Sequence, residues 1–335
     1  MTKNPWKIPL FLLLFGILTI IGVFFKDLGQ KQYEPGEVLG QKTNLELFVQ
    51  PEVGRQPILE AINSAGSEIL VEVYLLSDKQ IIDSLVEARN RGVKVQIMME
   101  QHPFGGGNVN KNTASFLDQE AMDFKWANPT FALTHEKAMI VDREILFILN
   151  QNLTKTAFDK NREYNIIDHN LEEVTEAVNI FEADWNRSGV SPTAANLVVS
   201  PENSRGKLTG LINSAQSSID LEVEIIQDND MIKLLSDRVK IIPVRMIIPD
   251  LGKIPANKDE AMELKNAGVV VRTLKSPYLH AKLILVDQLR AYLGSINLSD
   301  ASMDQNRELG ILISQGDIIS KLSETFEKDW ERASE

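Results

Sequence analysis

The chain has no cysteine, few histidines and an excess of acidic residues. Without cysteine, its 335 residues form no disulfide, no thiolate zinc site, no cysteine nucleophile and no lipid-modified cysteine. The 35 Lys and Arg residues are outnumbered by 47 Asp and Glu residues, which gives a net charge of −12. A molecule of this charge repels phosphate backbones and anionic membrane surfaces as a whole. Any anionic substrate must therefore be bound by cationic groups placed locally.

An apolar run of 18 residues without a charge, 8–25, lies close to the N-terminus. As a helix it would be about 27 Å long, which nearly spans the hydrocarbon core of a bilayer. The run ends in Phe24-Phe25-Lys26 and not at a small-x-small cleavage site, so we predict an uncleaved membrane anchor, 1–28, in place of a signal peptide. A buried soluble helix is the alternative. The positive charges before the run favour a cytoplasmic N-terminus and an extracytoplasmic body.

One set of polar residues occurs twice, with a constant displacement of 145 positions. The first copy consists of His135, Lys137, Asp142, Asn150 and Asn152, and the second of His280, Lys282, Asp287, Gly294, Ser295 and Asn297. The same displacement relates Asn161-Arg162-Glu163 to Asn306-Arg307-Glu308, and Phe181, Glu182, Asp184 and Trp185 to Phe326, Glu327, Asp329 and Trp330. Chance does not preserve such a register. We therefore predict two fused halves, 44–195 and 196–335, joined to the anchor by a polar tether, 29–43.

The hydrophobic pattern predicts an α/β fold for each half. Residues 69–76 form a β-rich run, 79–91 carry apolar side chains at helical spacing, and 93–99 form the next strand. Strand, helix and strand in this order predict a βαβ unit with parallel pairing and a right-handed crossover. We expect two pseudo-symmetric α/β sandwiches, each with a mixed, mainly parallel sheet flanked by helices.

The repeated His-x-Lys pair indicates phosphate chemistry. Residues two apart in a strand project from one face, so His135 is presented with Lys137, and His280 with Lys282. A single such pair is more simply the solvated face of a surface strand, but two copies with shared later residues favour a site. Lysines and asparagine amides suit the oxygens of a phosphodiester, so neither a metal nor a cofactor is expected. A neutral histidine can attack phosphorus while a protonated histidine gives a proton to the departing alkoxide.

The pattern of His-x-Lys, four residues, Asp, six residues and Gly-Ser-x-Asn resembles the phospholipase D superfamily. The second copy matches every position, whereas Leu149-Asn150 replaces Gly294-Ser295 in the first. The resemblance covers the chain from about Asn44 to the C-terminus. It implies metal-independent chemistry on a phosphodiester through a covalent phosphohistidine.

The resemblance also implies roles for single residues. The first-repeat histidine, His135, would be the nucleophile and His280 the acid, although the residues by themselves leave open which histidine attacks. Glu163 and Glu308, each 28 residues after a histidine, would orient the rings by hydrogen bonds; surface ion pairs with the adjacent arginines are the alternative. The substrate phosphate would be bound by Lys137, Lys282, Asn150, Asn152, Ser295 and Asn297. Asp142, Asp287 and Gly294 would support the motif, the aspartates by fixing the hairpin turn.

Some residues admit two interpretations. Glu72 and Glu222 lie in the middle of predicted strands and are either buried partners of the site or outward-facing residues. Residues 105–107 are three glycines, interpreted as a flexible loop at the carboxyl end of a parallel strand, because no Gly-Lys-Ser/Thr follows them. His102 and His169 have no counterpart in the other half and are interpreted as incidental.

We expect a membrane-anchored enzyme that cleaves or exchanges the phosphodiester of a phospholipid, most simply as a phospholipase D. The net acidity disfavours nucleic acid as a partner, and the anchor would hold the site near lipid headgroups. Three alternatives stay open: a transphosphatidylase such as a cardiolipin synthase, a nuclease of the same superfamily, and a non-catalytic scaffold. Because both half-sites lie in one chain, we expect a monomer.

Overall fold

The computed structural model describes residues 45–335, which belong to one compact unit. The predicted anchor, 1–28, and the tether, 29–43, lie outside the described residues. Within 45–335, no helix is long and apolar enough to cross a bilayer.

Two sets of strands follow each other along the described chain. Those of the first half are β1 (Leu45–Gln50), β2 (Glu68–Val73), β3 (Lys94–Met99), β4 (Asp123–Trp126), β5 (Lys137–Val141), β6 (Ile145–Leu149) and β7 (Asn161–Asp168). Those of the second half are β8 (Leu197–Ser200), β9 (Ile219–Val223), β10 (Val244–Pro249), β11 (Val270–Leu274), β12 (Tyr278–Leu279), β13 (Lys282–Val286), β14 (Arg290–Gly294) and β15 (Glu308–Ile313).

Helices alternate with these strands in both halves. The first half contains α1 (Gln56–Ser64), α2 (Lys79–Asn90), α3 (Val109–Gln119), α4 (Lys155–Lys160) and α5 (Leu171–Asn186). The second half contains α6 (Ser204–Asn213), α7 (Asn229–Arg238), a 3-10 turn (Pro255–Asn257), α8 (Lys258–Ala267), α9 (Asp300–Asp304) and α10 (Gly316–Arg332).

The two sheets have the same topology, as the repeat predicts. The first has the strand order β1-β7-β6-β5-β2-β3-β4, and the second has the equivalent order β8-β15-β14-β13-β9-β10-β11. The prediction of two mixed sheets flanked by helices is confirmed, but the expectation that they are mainly parallel is wrong. Only β2, β3 and β4 pair in parallel in the first sheet, because α2 and α3 return the chain between them. Short turns join β5, β6 and β7, and such turns force antiparallel pairing.

Each half pairs with the other through the segment that precedes its histidine. The short strand β12 lies parallel to β7 of the first half, with Tyr278 beside Asn161 and Leu279 beside Arg162. The equivalent segment of the first half forms a parallel bridge between Thr134 and Arg307, next to β15. The backbone therefore carries each histidine to the edge of the other half's sheet.

An apolar core is shared by the two halves. It contains Ile140 of β5, Leu285 of β13, Phe181 of α5 and Phe326 of α10, all of them buried. Strand β5 is buried along its whole length, which explains its near-continuous apolar sequence. Because one core joins both sheets, a site built from the two halves is held in a single geometry.

Candidate active site

The two histidines lie at the contact between the halves, each just before a core strand. The backbone N–H of His135 donates to the carbonyl oxygen of Arg307 at 2.9 Å, and that of His280 donates to Arg162 at 3.2 Å. The residue after each arginine is a glutamate. Backbone pairing across the repeat therefore brings the histidine of one half to the glutamate of the other.

Each histidine ring is bound by that glutamate. Nδ1 of His135 lies 2.9 Å from Oε2 of Glu308, and Nδ1 of His280 lies 2.8 Å from Oε2 of Glu163. Neither glutamate side chain has any exposed surface. Although burial opposes ionisation, the charge of His135 and its hydrogen bond lower the pKa of Glu308. Because Nδ1 is occupied in both rings, Nε2 is the nitrogen available for chemistry.

The adjacent arginines bind other carboxylates, so the alternative of a surface pair with Glu163 or Glu308 is not observed. Arg162 pairs with Asp329 at 2.5 Å, and Arg307 pairs with Asp184 at 2.7 Å. Both pairs are buried and both again join one half to the other. These aspartates belong to the echo of 181–185 in 326–330, so the sequence contained the signal but not its meaning.

The two lysines lie buried beside the histidines. Nζ of Lys137 donates to the carbonyl oxygen of His135 at 2.5 Å, and Nζ of Lys282 donates to that of His280 at 2.8 Å. Burial is the largest influence on Lys137 and lowers its pKa to about 7. Two ammonium groups thus face the same space as the two imidazoles and are suited to bind phosphate oxygens.

A tyrosine and a glutamate at equivalent positions make the two half-sites different. The ring of Tyr74 contacts His135 edge-on at 4.8 Å and lies 5.2 Å from Nζ of Lys137. The second half has Glu224 at this place, with Oε2 at 2.9 Å from Nζ of Lys282 and 3.4 Å from Nε2 of His280. Sequence reasoning missed both residues, although they are related by the displacement of 150 that applies to this part of the repeat.

The charge of each half-site follows from that difference. Burial lowers the pKa of His135 to about 4, because the charge of Glu308 only partly offsets desolvation. Burial alone would raise the pKa of Glu224, but the charges of His280 and Lys282, with hydrogen bonds from Lys282 and Tyr278, lower it to about 2. At neutral pH, His135 is therefore a neutral imidazole and Glu224 is an anion.

Asn150 and Ser295, predicted to bind phosphate, use their polar groups within the protein. The amide nitrogen of Asn150 donates to the carbonyl oxygen of Gly294 at 2.8 Å, across the two halves. Oγ of Ser295 donates to the carbonyl oxygen of Leu309 and accepts from its N–H. A Cβ at Gly294 would lie 2.4 Å from the Cα of Gly310, so glycine is required there for close strand approach. These three residues hold β14 against its neighbours.

Asn152 and Asn297 are the predicted phosphate ligands that keep hydrogen-bonding capacity. Both side chains are half-buried, and the amide oxygen of each has no hydrogen-bond partner among residues 45–335. The same capacity in both halves is consistent with a ligand that contacts each repeat in the same manner.

Asp142 and Asp287 bind backbone and not the histidine region. Asp142 accepts hydrogen bonds from the N–H groups of residues 66–68, and Asp287 accepts those of residues 216–218. Both aspartates have a positive φ, 53° and 56°, in the turn of their hairpins. Burial acts in the opposite direction, yet these hydrogen bonds lower the pKa of Asp142 to about 2. They tie each hairpin turn to the start of the neighbouring strand.

The residues with two interpretations are also placed by the structure. Glu72 and Glu222 are both buried, and burial raises their pKa values well above the usual range. Glu222 accepts a hydrogen bond from the hydroxyl of Tyr164 at 3.0 Å. His102 is exposed, and His169 lies 3.5 Å from Glu46.

The glycine loop is connected to the site through Tyr74. The hydroxyl of Tyr74 accepts a hydrogen bond from the N–H of Phe104 at 2.5 Å. Phe104, whose side chain is 90% exposed, precedes the glycines 105–107. The loop therefore begins at a residue tied to the ring that contacts His135.

Comparison with known proteins identifies the family. A family profile described as "Cardiolipin synthase, PLD-like domain" matches residues 58–185 and 208–330. The chain belongs to this phospholipase D-like family. The two matched segments correspond to the two halves, and each contains one His-x-Lys motif.

Relatives of the phospholipase D-like chain agree with this assignment. A cardiolipin synthase of Clostridium perfringens is 22% identical over 92% of this chain and 75% of its own length. A polyphosphate kinase from Porphyromonas gingivalis has a TM-score of 0.66 at 15% identity, covering 85% of this chain and 50% of its own. A phosphatidylserine synthase of Haemophilus influenzae has a TM-score of 0.63 at 14% identity, covering 87% of both chains. At such identities the two structures show a shared fold alone.

Within residues 45–335, no group of three or more His, Cys, Asp or Glu side chains is arranged to hold a metal ion. The phospholipase D-like site offers instead two imidazoles, two ammonium groups and two uncommitted amides. This set can bind an anionic diester, attack it and protonate a departing oxygen.

Proposed function

We propose that the protein transfers a phosphatidyl group from a phospholipid to an alcohol, in the manner of a cardiolipin synthase. The observation that carries the proposal is the pair of His–Glu contacts across the repeat, which unites a nucleophile and an acid in one site. The same residues could serve water as the acceptor, as in a phospholipase D. Transfer to an alcohol is favoured because the profile and the sequence relatives carry the name cardiolipin synthase.

His135 acts as the nucleophile and His280 as the acid. With its pKa lowered to about 4, His135 is neutral and Nε2 has a free lone pair at neutral pH. This nitrogen attacks phosphorus, forming a phosphorus–nitrogen bond as the bond to the leaving alcohol breaks. Imidazolium His280 gives the proton from Nε2 to the departing oxygen, then recovers one from the acceptor alcohol, whose oxygen displaces His135.

The phosphate oxygens are bound by Lys137, Lys282, Asn152 and Asn297 in this proposal. Two ammonium groups balance the charge of the diester and the further charge that develops in the transition state. Glu308 and Glu163 stabilise the positive charge on the histidine rings and keep Nε2 directed toward the substrate. Asn150, Ser295, Gly294, Asp142 and Asp287 support this arrangement through backbone contacts.

The remaining parts of the chain are assigned on sequence alone. We propose that residues 8–25 anchor the protein and that 29–43 tether the repeats, 44–195 and 196–335, at the extracytoplasmic surface. The acidic net charge disfavours nucleic acid as the substrate. A monomer suffices, since both half-sites belong to one chain.

The test is a product analysis with the full-length protein and vesicles of labelled phosphatidylglycerol. We expect a diphosphatidyl lipid and free glycerol by thin-layer chromatography and mass spectrometry, and acid-labile, base-stable label on the peptide that contains His135. An inactive double variant, His135→Ala with His280→Ala, is the control. Phosphatidic acid as the main product would show hydrolysis, and no release of glycerol at all would contradict the proposed reaction.

A further inference from the structure

The two half-sites differ in charge although the repeat makes their histidines, lysines and ring-binding glutamates equivalent. In the first half, Tyr74 presents an uncharged ring to His135 and Lys137. In the second half, Glu224 presents a carboxylate to both His280 and Lys282. The proposed mechanism needs such a difference, because its two histidines must begin in different protonation states.

Glu224 is held firmly in this position. Its Oε1 accepts a hydrogen bond from the hydroxyl of Tyr278 at 2.9 Å, and its Oε2 accepts one from Nζ of Lys282 at the same distance. Tyr278 belongs to β12, the strand that crosses to the first half. The carboxylate is therefore ordered by the same interface that assembles the site.

The charges around His280 come from four elements. Glu163 of β7 binds Nδ1, Glu224 after β9 faces Nε2, and Lys282 of β13 lies beside the ring. Lys137 of β5 lies close enough to this group that its pKa responds to Lys282, Glu224 and Glu163. Of these, only Glu224 lacks an equivalent in the other half, where Tyr74 takes its place.

We propose that Glu224 is the positioning residue that makes His280 the acid: its carboxylate favours the imidazolium form, with the Nε2 proton directed at the alcohol oxygen. This inference rests on the proposed function and adds a residue to it. Glu224 also attracts Lys282 away from the centre, which leaves Lys137 as the less restrained phosphate ligand. The aromatic contact at Tyr74 lets His135 remain a neutral nucleophile.

The test compares two dispersed short-chain diesters that differ only in the leaving group. Phosphatidylglycerol releases an alkoxide that needs a proton, whereas the phosphatidyl ester of 4-nitrophenol releases a stable phenolate that does not. In full-length Glu224→Gln, we expect kcat/KM for the glycerol ester to fall on the order of tenfold to a hundredfold. With the nitrophenyl ester, we expect a loss below about threefold, since attack by His135 is unchanged.

Two further measurements separate this role from a structural one. The alkaline limb of the pH profile for the glycerol ester should move to lower pH in Glu224→Gln, because the imidazolium loses a stabilising anion. Glu224→Asp should restore part of the activity lost by the glutamine variant. Glu222→Gln is a matched control on the same strand; it replaces a protonated acid by a neutral amide and should change neither the ratio of the two substrates nor the profile.

Equal losses for both esters in Glu224→Gln, in protein with a wild-type circular dichroism spectrum, would overturn the inference. An unchanged alkaline limb would overturn it as well. Failure of the proposed function looks different: the wild-type protein would then cleave neither ester, or would cleave both and pass the phosphatidyl group only to water. In the second case the leaving-group comparison still tests Glu224, because the first step is the same.

Discussion

The exchange of glutamates between the halves makes a sharp prediction for two variants. Glu308 contacts His135, the proposed nucleophile, and Glu163 contacts His280, the proposed acid. Glutamine at either position keeps a hydrogen-bond acceptor but removes the negative charge. Glu308→Gln should therefore slow the attack on phosphorus, and Glu163→Gln should slow proton donation, although each glutamate lies in the half that contains the other histidine.

The size of the effect follows from the geometry. Both hydrogen bonds are short, 2.9 Å and 2.8 Å, and both carboxylates are fully buried. A charge-assisted hydrogen bond contributes about 1.5–3 kcal/mol, which corresponds to about a 10- to 100-fold loss in rate. The loss in Glu308→Gln does not arise from protonation, because removal of the anion lowers the pKa of His135 further below about 4. It arises because the positive charge that develops on the ring during attack is no longer balanced.

The assay is the rate of phosphoenzyme formation, measured by rapid quench with leaving groups of different basicity. In Glu308→Gln we expect the same loss with glycerol and 4-nitrophenol. In Glu163→Gln we expect the loss mainly with glycerol. The reverse pattern, with label still on the peptide containing His135, would refute the pairing across the repeat. If the label moved to the peptide containing His280, the roles of the histidines would be exchanged while the pairing stood.

Further predictions concern pH and the N-terminal region. Because burial lowers the pKa of Lys137 to about 7, KM for the diester should rise as pH increases through 7, and Lys137→Arg should remove this dependence because guanidinium stays charged; an identical rise in both proteins would contradict it. Burial raises the pKa of Glu136 from 4.5 to about 8, so the native state retains a proton that the unfolded state loses, and stability should decrease between about pH 4.5 and 8. Urea unfolding should then show that Glu136→Gln gains stability relative to wild type at pH 9 compared with pH 5, whereas an equal difference at both pH values would argue against this origin. Deletion of residues 1–41 should preserve turnover of a dispersed diester and reduce the rate on vesicles, and loss of both in a folded protein would assign the segment to the active architecture.

The sequence alone determined which residues carry the chemistry, the family and the twofold repetition of the fold. A displacement of 145 residues is visible without coordinates, and the paired His-x-Lys motifs restricted the reaction to phosphodiester chemistry. Alternation of apolar runs with helical spacing also predicted two mixed α/β sheets. The boundary at 195/196 and the anchor stay predictions.

Only the tertiary structure decided how the repeated parts pair. In an exact repeat, contacts of His135 with Glu163 or with Glu308 satisfy the same sequence spacing, so the pattern cannot distinguish pairing within a half from pairing between halves. The shared core and the crossing segments before each histidine select the second arrangement. Strand direction was misjudged for a related reason, since the hairpins after each βαβ unit add antiparallel ladders. The contrast between Tyr74 and Glu224 gained its meaning only when folding brought both to the histidines, because charge acts through distance in space and not along the chain.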